Sequence, residues 1–483
     1  MANPDRRARI GLLLLGSNVH KGFGENTEHG SYVERVQKYV NKYIAEFDKL
    51  GDVTFSEIVF NQDAARKSID AFFNAKVDCV IIINLSWTED SGLICFLRNM
   101  PPVPMLFAAV ANDDTQLEST ADDDGFTTLL TVNSLVGSLE CSGAFRRFNT
   151  PMCERVSGTF DKVFEKAKVF VAASRARGIL RESDFALLGP YNEVMWSTYV
   201  DPYSLYMDVG PNIHFYSVSQ LKESIDKVSD SDVRSAMERI VSTYPSDGPV
   251  DEEKFFGTVK ASLGFDYFCK DHGIDCMVLN DIDKALLDVL GCRPGFIWSS
   301  GENNAVVVPE GDIGSGVAAY TLRLLSGHQV NYIEGFFIQH KEQWIAVGHG
   351  GPNDYRDPEG KCIISTDIRY ANADIKYPGA PLAWYTFPTG EITVLHSSQN
   401  MGKQDQKAFK FVAGRAESLE TKHFMSSFTH GKIRPIGAGC EEWVQKLIDE
   451  GVTQHYAITK GDYKAEIECL SKLINFNYVD LEK

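Results

Sequence analysis

Short apolar runs alternate with longer amphipathic segments over the first 300 residues of the chain. Residues 10–15 (IGLLLL) and 79–84 (CVIIIN) are two such runs, and residues 32–49 form an amphipathic segment between them. Continuous apolar runs of this length are typical of strands buried on both faces of a parallel sheet, whereas the amphipathic segments predict helices. Strands that alternate with helices predict open parallel sheets, with ligands bound beyond the carboxyl ends of the strands.

The alternation divides into two sets. We place the boundary between them near residues 174–181, a basic segment that contains a glycine. Residues 1–175 are predicted to form an N-terminal α/β lobe, with the apolar run 168–173 as its last strand. Residues 176–305 are predicted to form a central α/β lobe of the same kind.

Beyond residue 360 the pattern changes to short β-type runs separated by proline and glycine turns. These runs are residues 362–366, 382–387, 391–396 and 408–413. Such spacing is typical of an antiparallel barrel or sandwich. The predicted fold class is therefore α/β, with two Rossmann-like open parallel-sheet lobes followed by a mostly antiparallel, barrel-like C-terminal domain over residues 306–483.

Polar residues that could carry chemistry are concentrated in residues 306–349. Glu310 follows the apolar run Val306–Val308 and precedes a predicted helix, Glu334 follows a short strand-like segment, and His349 ends another apolar run in a glycine-rich turn. Side chains at strand ends and in glycine-flanked turns can converge on a ligand. We therefore expect a candidate site to form here.

Two glutamates and a histidine are ligands that suit Mn²⁺, Mg²⁺ or Co²⁺, whereas structural zinc more often recruits cysteines. The gaps between Glu310, Glu334 and His349 match no compact metal-binding loop. On residue types and spacing alone, ordinary surface acids and a hydrogen-bonded histidine remain the alternative interpretation.

The order of these residues resembles the metal-binding core of the L-arabinose isomerase and L-fucose isomerase superfamily. The shared pattern is Glu-Gly-Asp opening a helix, then Glu after a short strand, then Gly-His. Residues 451–459 (GVTQHYAIT) are similar to the arabinose isomerase segment with a His-His pair, although Gln454 replaces the first histidine and only His455 is kept. The resemblance follows the whole chain in order and is dense from about residue 274 onward.

This resemblance implies a metal-dependent aldose–ketose isomerase, an intramolecular oxidoreductase that acts through an enediol. Glu310, Glu334, His349 and His455 would hold a divalent ion, with Mn²⁺ preferred over Mg²⁺ or Co²⁺. Glu310 and Glu334 would also form the catalytic acid/base pair. Asp312 either caps the predicted helix that follows it, or holds a metal ligand in place without itself contacting the ion.

The resemblance implies that the substrate is a sugar, and the turn after the first strand bears on which sugar it is. Arabinose isomerases carry a Gly-Ser-Gln-His-type turn there, whereas this chain has Gly-Ser-Asn-Val-His at residues 16–20. We therefore expect a sugar other than plain L-arabinose. Ser17, Asn18 and His20 are candidate substrate contacts within this turn.

Two further positions keep alternatives open. His430 is a candidate substrate contact and also the rival of His455 for the fourth ligand position. Arg146 and Arg147 either cap a helix or hold an anionic group of a modified sugar. An isomerase of a deoxy, branched or acidic hexose is therefore one alternative function.

Composition limits the partners and the compartment. The net charge of −18, from 66 acidic and 48 basic residues, argues against nucleic acid or an anionic membrane as the main partner. The ten cysteines form no CxxC pair, which is typical of a reduced cytoplasmic protein. No apolar run approaches the roughly 18 residues that a membrane helix needs, and the run at 10–15 is too short for a signal sequence.

The oligomeric state and a non-catalytic alternative can also be considered from the sequence. The resemblance implies a homo-oligomer (a trimer, tetramer or hexamer) with sites near subunit interfaces. A non-catalytic sugar-binding protein with two α/β lobes is the alternative to an enzyme. That alternative leaves the four metal-competent residues unexplained.

Overall fold

The computed structural model describes residues 2–112, 117–132, 134–293, 295–296, 305–351, 361–400 and 407–483. These residues form two compact units. The smaller unit contains Arg6–Gly178 and Lys472–Ile474, and the larger contains Ile179–Ser471 with short segments from both chain ends. The predicted boundary after residue 175 lies next to this division, whereas the predicted boundary after residue 305 falls inside the larger unit.

The smaller unit is built on a five-stranded parallel sheet with the strand order β2-β1-β3-β4-β5. Its strands are β1 (Ala8–Leu15), β2 (Gly51–Thr54), β3 (Cys79–Asn84), β4 (Met105–Ala111) and β5 (Cys153–Thr159). Its helices are α1 (Tyr32–Phe47), α2 (Gln62–Asn74), α3 (Ser91–Asn99), α4 (Asp123–Val132), α5 (Leu135–Arg147) and α6 (Phe160–Leu180). Every residue of the central strand β3 is buried, as its continuous apolar run predicts.

One predicted strand of this unit is wrong. Residues 168–173 lie inside α6 and not in the sheet. Ala167, Phe170, Val171 and Ser174 are among the buried positions of α6, and they follow the i, i+3, i+4, i+7 spacing of a helix. A short apolar run by itself does not distinguish a buried helix face from a buried strand. The last strand of the sheet is instead β5, whose residues are mostly half-buried or exposed.

The larger unit begins with a four-stranded parallel sheet in the order β7-β6-β8-β9. Its strands are β6 (Asp184–Leu188), β7 (Asn212–Tyr216), β8 (Cys276–Leu279) and β9 (Val306–Val308). The helices of this part are the single turn α7 (Pro202–Ser204), α8 (Val218–Lys227), α9 (Asp230–Thr243), α10 (Glu252–His272), α11 (Lys284–Leu290) and α12 (Ile313–Ser326). Because β9 pairs with β8, this sheet continues beyond residue 305.

The rest of the larger unit contains an antiparallel barrel. Its remaining elements are β10 (Asn331–Gln339), β11 (Trp344–His349), β12 (Ile363–Thr366), β13 (Pro381–Trp384), β14 (Gly390–Gln399), β15 (Phe409–Leu419), β16 (Thr429–Pro435), α13 (Cys440–Asp449), β17 (His455–Lys460), α14 (Lys464–Leu473) and β18 (Asn477–Asp480). Six strands pair in the order β14-β17-β10-β11-β16-β15, and the pairing of β15 with β14 closes the barrel. Barrel closure leaves these strands no free edge.

This architecture confirms the predicted fold class of parallel α/β sheets followed by an antiparallel barrel. The runs 391–396 and 408–413 belong to barrel strands β14 and β15. The runs 362–366 and 382–387 contribute instead to β12 and β13, which form a separate two-stranded sheet. All ten cysteines are described and are free thiols. Among the described residues, no helix combines the length and apolar character needed to cross a bilayer.

Candidate metal centre

Glu310 lies in a tight turn between β9 and α12. Its backbone is in the left-handed region (φ 61°), as is that of Gly311 (φ 72°). At a non-glycine residue this conformation costs about 1–2 kcal/mol. Two hydrogen bonds hold the turn: the Glu310 N–H donates to Asp281 Oδ1 (3.0 Å) and the Gly311 N–H donates to the Leu279 carbonyl (3.0 Å). The turn therefore fixes the Glu310 carboxylate at the carboxyl end of the parallel sheet.

Three neighbouring barrel strands supply the other predicted ligands. Glu334 on β10 pairs directly with His455 on β17 and with Gly348 on β11. His349 is the next residue after Gly348. Because β10 lies between β17 and β11, the strand register places all three side chains at the same end of the barrel.

The four residues predicted as metal ligands come together at this end. One nitrogen or oxygen atom from each of Glu310, Glu334, His349 and His455 lies within 4.8 Å of those of the other three. His455 Nε2 is 2.9 Å from a Glu310 oxygen and 3.7 Å from a Glu334 oxygen. His349 Nε2 is 3.6 Å and 3.9 Å from oxygens of the same two carboxylates.

Burial differs among these side chains. Glu310, His349 and His455 are 6%, 2% and 0% exposed, whereas the Glu334 side chain keeps 22% of its exposure. Glu334 is therefore the group through which the centre is open to solvent.

Asp312 accepts a hydrogen bond from the His455 nitrogen that faces away from Glu310, and it also caps a helix. Its carboxylate accepts the Ser315 N–H (2.8 Å) as the N-cap of α12, and it accepts a hydrogen bond from His455 Nδ1 (2.8 Å). Both roles that the sequence left open are therefore present in the structure. A carboxylate behind an imidazole is the usual arrangement for a histidine that binds a metal through its other nitrogen.

Electrostatics couple His455 and Glu310. Burial by itself would lower the pKa of His455, but hydrogen bonds to Asp312 and Glu310 outweigh burial and raise the pKa to about 9. Burial would likewise raise the pKa of Glu310, but hydrogen bonds from His349 and His455 hold it well below its usual range. Both groups are thus stabilised in their charged forms.

His349 is held differently. Its Nδ1 accepts the Gly351 N–H at 2.8 Å, so in the neutral ring the proton lies on Nε2, which faces Glu310. Binding of a cation through Nε2 would move the ring proton to Nδ1, and the contact with the Gly351 N–H would have to open. The Tyr332 ring lies against both imidazoles, with centroids 4.6 Å from His349 and 4.9 Å from His455.

The donor set fits a divalent cation. The carboxylates of Glu310, Glu334 and Asp312 lie around the imidazoles of His349 and His455. Buried charged groups are unfavourable unless they are paired or coordinate a metal. Carboxylate oxygens and imidazole nitrogens are the ligands that first-row divalent ions use.

Two residues of the surroundings were missed by the sequence reasoning. Asp281 follows β8, and burial raises its pKa while Arg293 and His349 oppose that shift. Its place directly after a predicted strand was an available signal.

His396 on β14 is fully buried, and its Nδ1 contacts the His455 carbonyl (2.8 Å). Burial lowers the pKa of His396 to about 4. A lone histidine in an apolar run gives no such signal.

The predicted substrate contacts Ser17, Asn18 and His20 lie in the smaller unit, in the turn after β1. The Ser17 hydroxyl donates to the Glu89 carboxylate (2.9 Å), which also accepts the Asn18 N–H (3.3 Å). His20 is 7% exposed, packs against Trp87, and has its pKa lowered by burial. Glu89, which organises this turn, was missed. The substrate role of the three residues stays a prediction.

His430 and the arginine pair are not part of the four-residue group. His430 on β16 is fully buried; its Nε2 accepts the Phe424 N–H (3.0 Å) and its Nδ1 donates to the Phe428 carbonyl (2.7 Å). Both ring nitrogens of His430 are therefore hydrogen-bonded to backbone groups.

Arg146 and Arg147 are exposed in the last turn of α5, where a cation interacts favourably with the helix dipole.

Comparisons with known proteins give no family assignment. No family model and no curated protein matches the chain. Among solved structures, SuiB of Streptococcus suis matches with 10% identity and a TM-score of 0.17, over 47% of this chain and 53% of that one. The match spans about half of each chain, and at this TM-score it supports no conclusion about function.

Proposed function

We propose that this protein is a metal-dependent aldose–ketose isomerase acting on a sugar other than plain L-arabinose. The observation that carries the proposal is the convergence of Glu310, Glu334, His349 and His455, each of which offers a ligand atom within 4.8 Å of those of the other three. The order of these residues resembles that of the L-arabinose and L-fucose isomerases, which supports this reaction over other metal-dependent chemistry.

The two glutamates would divide the work according to their environments. Glu310 is buried, its pKa is held low, and both histidines face it, so it suits the role of a permanently ionised ligand. Glu334 is the more exposed carboxylate, so it is better placed to exchange a proton with a bound sugar. A divalent ion held by the four residues, Mn²⁺ before Mg²⁺ or Co²⁺, would stabilise negative charge on the sugar oxygens.

The other residues would position this pair. Asp312 fixes the plane of the His455 ring through its 2.8 Å contact, and Tyr332 packs against both imidazoles. The turn at Glu310 is tied to Asp281. A catalytic geometry that is held by surrounding contacts in this way loses little free energy to reorganisation during the reaction.

A non-catalytic sugar-binding protein is the second candidate, because parallel α/β sheets also occur in sugar sensors. It would need neither the metal ligands nor a proton-transfer group. The ten free cysteines favour a cytoplasmic location over a secreted sensor.

The isomerase resemblance also implies a homo-oligomer with sites near subunit interfaces.

The test is exchange of the C2 hydrogen. A panel of aldoses and modified aldoses, incubated with the full chain and Mn²⁺ in D₂O, should include one that gains deuterium while its ketose appears. Glu334→Gln should lower the rate about 100-fold or more. Glu342→Gln, an exposed glutamate between β10 and β11, is the matched control and should react like wild type. A Mn²⁺-loaded protein that converts none of the sugars would overturn the proposal.

A further inference from the structure

Arg293 is a buried cation whose terminal nitrogens lack hydrogen bonds. It lies two residues after Gly291, the left-handed C-cap of α11, and its side chain is 4% exposed. Among the described residues, neither Nη1 nor Nη2 has a hydrogen-bond partner. The nearest acid is Asp367, with an oxygen 3.7 Å from Nη1, which is too far for a hydrogen bond. Buried guanidinium nitrogens are nearly always paired, so this side chain is suited to an acceptor on a ligand.

Arg369 is a second guanidinium near the same place. It is exposed, and its guanidinium carbon lies 5.5 Å from the Phe428 ring and 5.7 Å from the Tyr370 ring. Arg293 approaches the same Tyr370 ring at 5.4 Å. The two cations therefore share an aromatic support, which holds planar guanidinium groups in fixed orientations.

The two guanidinium groups meet at Gly350. A Cβ atom at this glycine would lie 2.5 Å from Arg293 Nη2 and 2.6 Å from Arg369 Nη1. Only glycine leaves room for both groups at this point of the backbone. Gly350 directly follows the predicted ligand His349, so the paired cations lie beside the metal centre within the larger unit.

Like charges held this close favour an anion between them. The acids near Arg293 are Asp367 and Asp281, and neither is hydrogen-bonded to its terminal nitrogens. Two planar guanidinium groups can bind a carboxylate or phosphate through several parallel N–H donors. The arrangement is thus suited to an oxyanion.

We infer that Arg293 and Arg369 form an oxyanion subsite at Gly350, and that the sugar isomerised at the neighbouring centre carries a phosphate ester or a carboxylate. The substrate part of this inference rests on the proposed function. The anionic group would sit at Gly350 while the reacting carbons lie at Glu310 and Glu334. This subsite differs from the basic pair at the end of α5.

Binding is the test, because it does not require turnover. Calorimetric titrations would use the Mn²⁺-loaded full chain with D-glucose, D-glucose 6-phosphate, D-glucuronate and inorganic phosphate. Either anionic sugar, or both, should bind about 10-fold or more tightly than glucose, and phosphate should compete with it. The two anionic sugars distinguish a phosphate ester from a carboxylate as the group recognised.

Variants assign the effect to residues. Arg369→Gln, at an exposed position, should remove the preference for the anionic sugar and leave glucose binding unchanged. Arg434→Gln is the matched control, an exposed arginine on β16 paired with Glu417 at 3.0 Å, and should behave like wild type. Arg293→Lys keeps the charge but loses the planar fork, so it should weaken anion binding with little change in thermal unfolding midpoint.

The outcomes separate this inference from the proposed function. Equal affinity for glucose and both anionic sugars would overturn the subsite, as would an equal loss in Arg369→Gln and Arg434→Gln. A fall in the unfolding midpoint of Arg293→Lys with unchanged anion affinity would show that Arg293 only pairs with Asp367. Anion binding that depends on Arg369 in a protein without isomerase activity would keep the subsite and remove the proposed reaction.

Discussion

His455 makes the two contacts on which the geometry of the candidate centre depends. Its Nδ1 faces Asp312 at 2.8 Å and its Nε2 faces Glu310 at 2.9 Å. A cation bound at Nε2 would replace the ring proton there and leave the Asp312 contact in place. Asp312 would therefore affect the affinity for such a cation, and as the N-cap of α12 it stabilises a helix.

Two substitutions at Asp312 separate these roles. Asp312→Asn keeps a good N-cap but loses the charge behind His455, so metal affinity should fall about 10–100-fold with little change in stability. Asp312→Ala should lose metal affinity similarly and also about 1 kcal/mol of stability. Mn²⁺ titration and thermal unfolding of both variants measure this. Wild-type Mn²⁺ affinity in Asp312→Asn would mean that the carboxylate does not support a ligand.

Glu310→Gln and Glu334→Gln should each remove most turnover while the fold stays intact. An amide is a poor metal ligand and cannot carry a proton. Turnover of the sugar identified in the deuterium assay, together with circular dichroism, checks this. Near-normal activity in either variant, with a native spectrum, would refute the assignment of that glutamate.

His455 and His430 should respond differently to removal. His455→Ala should weaken Mn²⁺ binding by about 10–100-fold or more, with partial recovery of activity at high Mn²⁺ because the carboxylates remain. His430→Ala leaves the Phe424 N–H and the Phe428 carbonyl without their partner, so it should cost about 2 kcal/mol of stability and spare Mn²⁺ affinity. Mn²⁺ titrations of both variants decide the ranking, and the reverse ranking would identify His430 as the ligand.

Residue order predicted which four residues converge but not what surrounds them. Glu310, Glu334, His349 and His455 were picked out by their order and short flanking motifs, and the structure brings them within 4.8 Å of one another; that they bind a metal stays a prediction. Asp281 contacts the turn at Glu310, and Arg293 approaches Gly350, only because the fold brings β8 and the segment after α11 to these places. Contacts of this kind arise from tertiary packing, which a local pattern does not contain.

At the scale of elements, the register of three barrel strands sets the site. A slip of one residue between β10 and β17 would turn Glu334 to the opposite face of the sheet, away from His455. Barrel strands β14 and β15 were predictable from short β-type runs bounded by proline and glycine turns. The closing pair β14–β15 and the separate sheet of β12 and β13 were not, since strand pairing depends on long-range contacts.

An ion pair joins the chain end to the barrel and makes its stability dependent on pH. Glu482, after β18, accepts hydrogen bonds from Arg415 on β15 (2.8 Å), and Lys464 lies 2.8 Å away. Burial would raise the pKa of Glu482, but these cations lower it from 4.5 to about 2. Because the folded pKa is below the unfolded one, this stabilisation is present above about pH 4.5 and is lost as pH falls towards 2.

Glu482→Gln should therefore reduce stability by about 2 kcal/mol at pH 7, and the difference from wild type should shrink at pH 3. Denaturant unfolding at the two pH values measures it. Glu417→Gln is the control, because its pair with Arg434 is exposed and should contribute less than about 1 kcal/mol. A difference for Glu482→Gln that stays constant between pH 7 and pH 3 would contradict the ion-pair explanation.

At the scale of the whole molecule, the candidate metal centre and the turn after β1 belong to different units of the chain. Glu310, Glu334, His349 and His455 all belong to the larger unit, and Ser17, Asn18 and His20 belong to the smaller one. The sequence pattern placed a boundary at the basic, glycine-containing segment 174–181, which lies next to the division between the two units. It also placed a boundary after residue 305, inside the larger unit, because the pairing of β9 with β8 cannot be read from one short apolar run.

A fragment of residues 1–180 should fold and bind no metal. It carries the five-stranded sheet with its own buried core but none of the four predicted ligands. Circular dichroism and metal analysis by mass spectrometry check both statements. Stoichiometric metal in this fragment would show that the ligands lie elsewhere.

The central claim is that the four convergent residues bind a divalent cation. The direct measurement is the metal content of the full chain after equilibration with Mn²⁺ and removal of free ion, determined by mass spectrometry. We expect about one ion per wild-type chain, and none in a Glu310→Gln/His455→Ala double variant that keeps its native circular dichroism spectrum. A wild-type protein without stoichiometric metal, or a double variant that retains the same amount, would contradict the account.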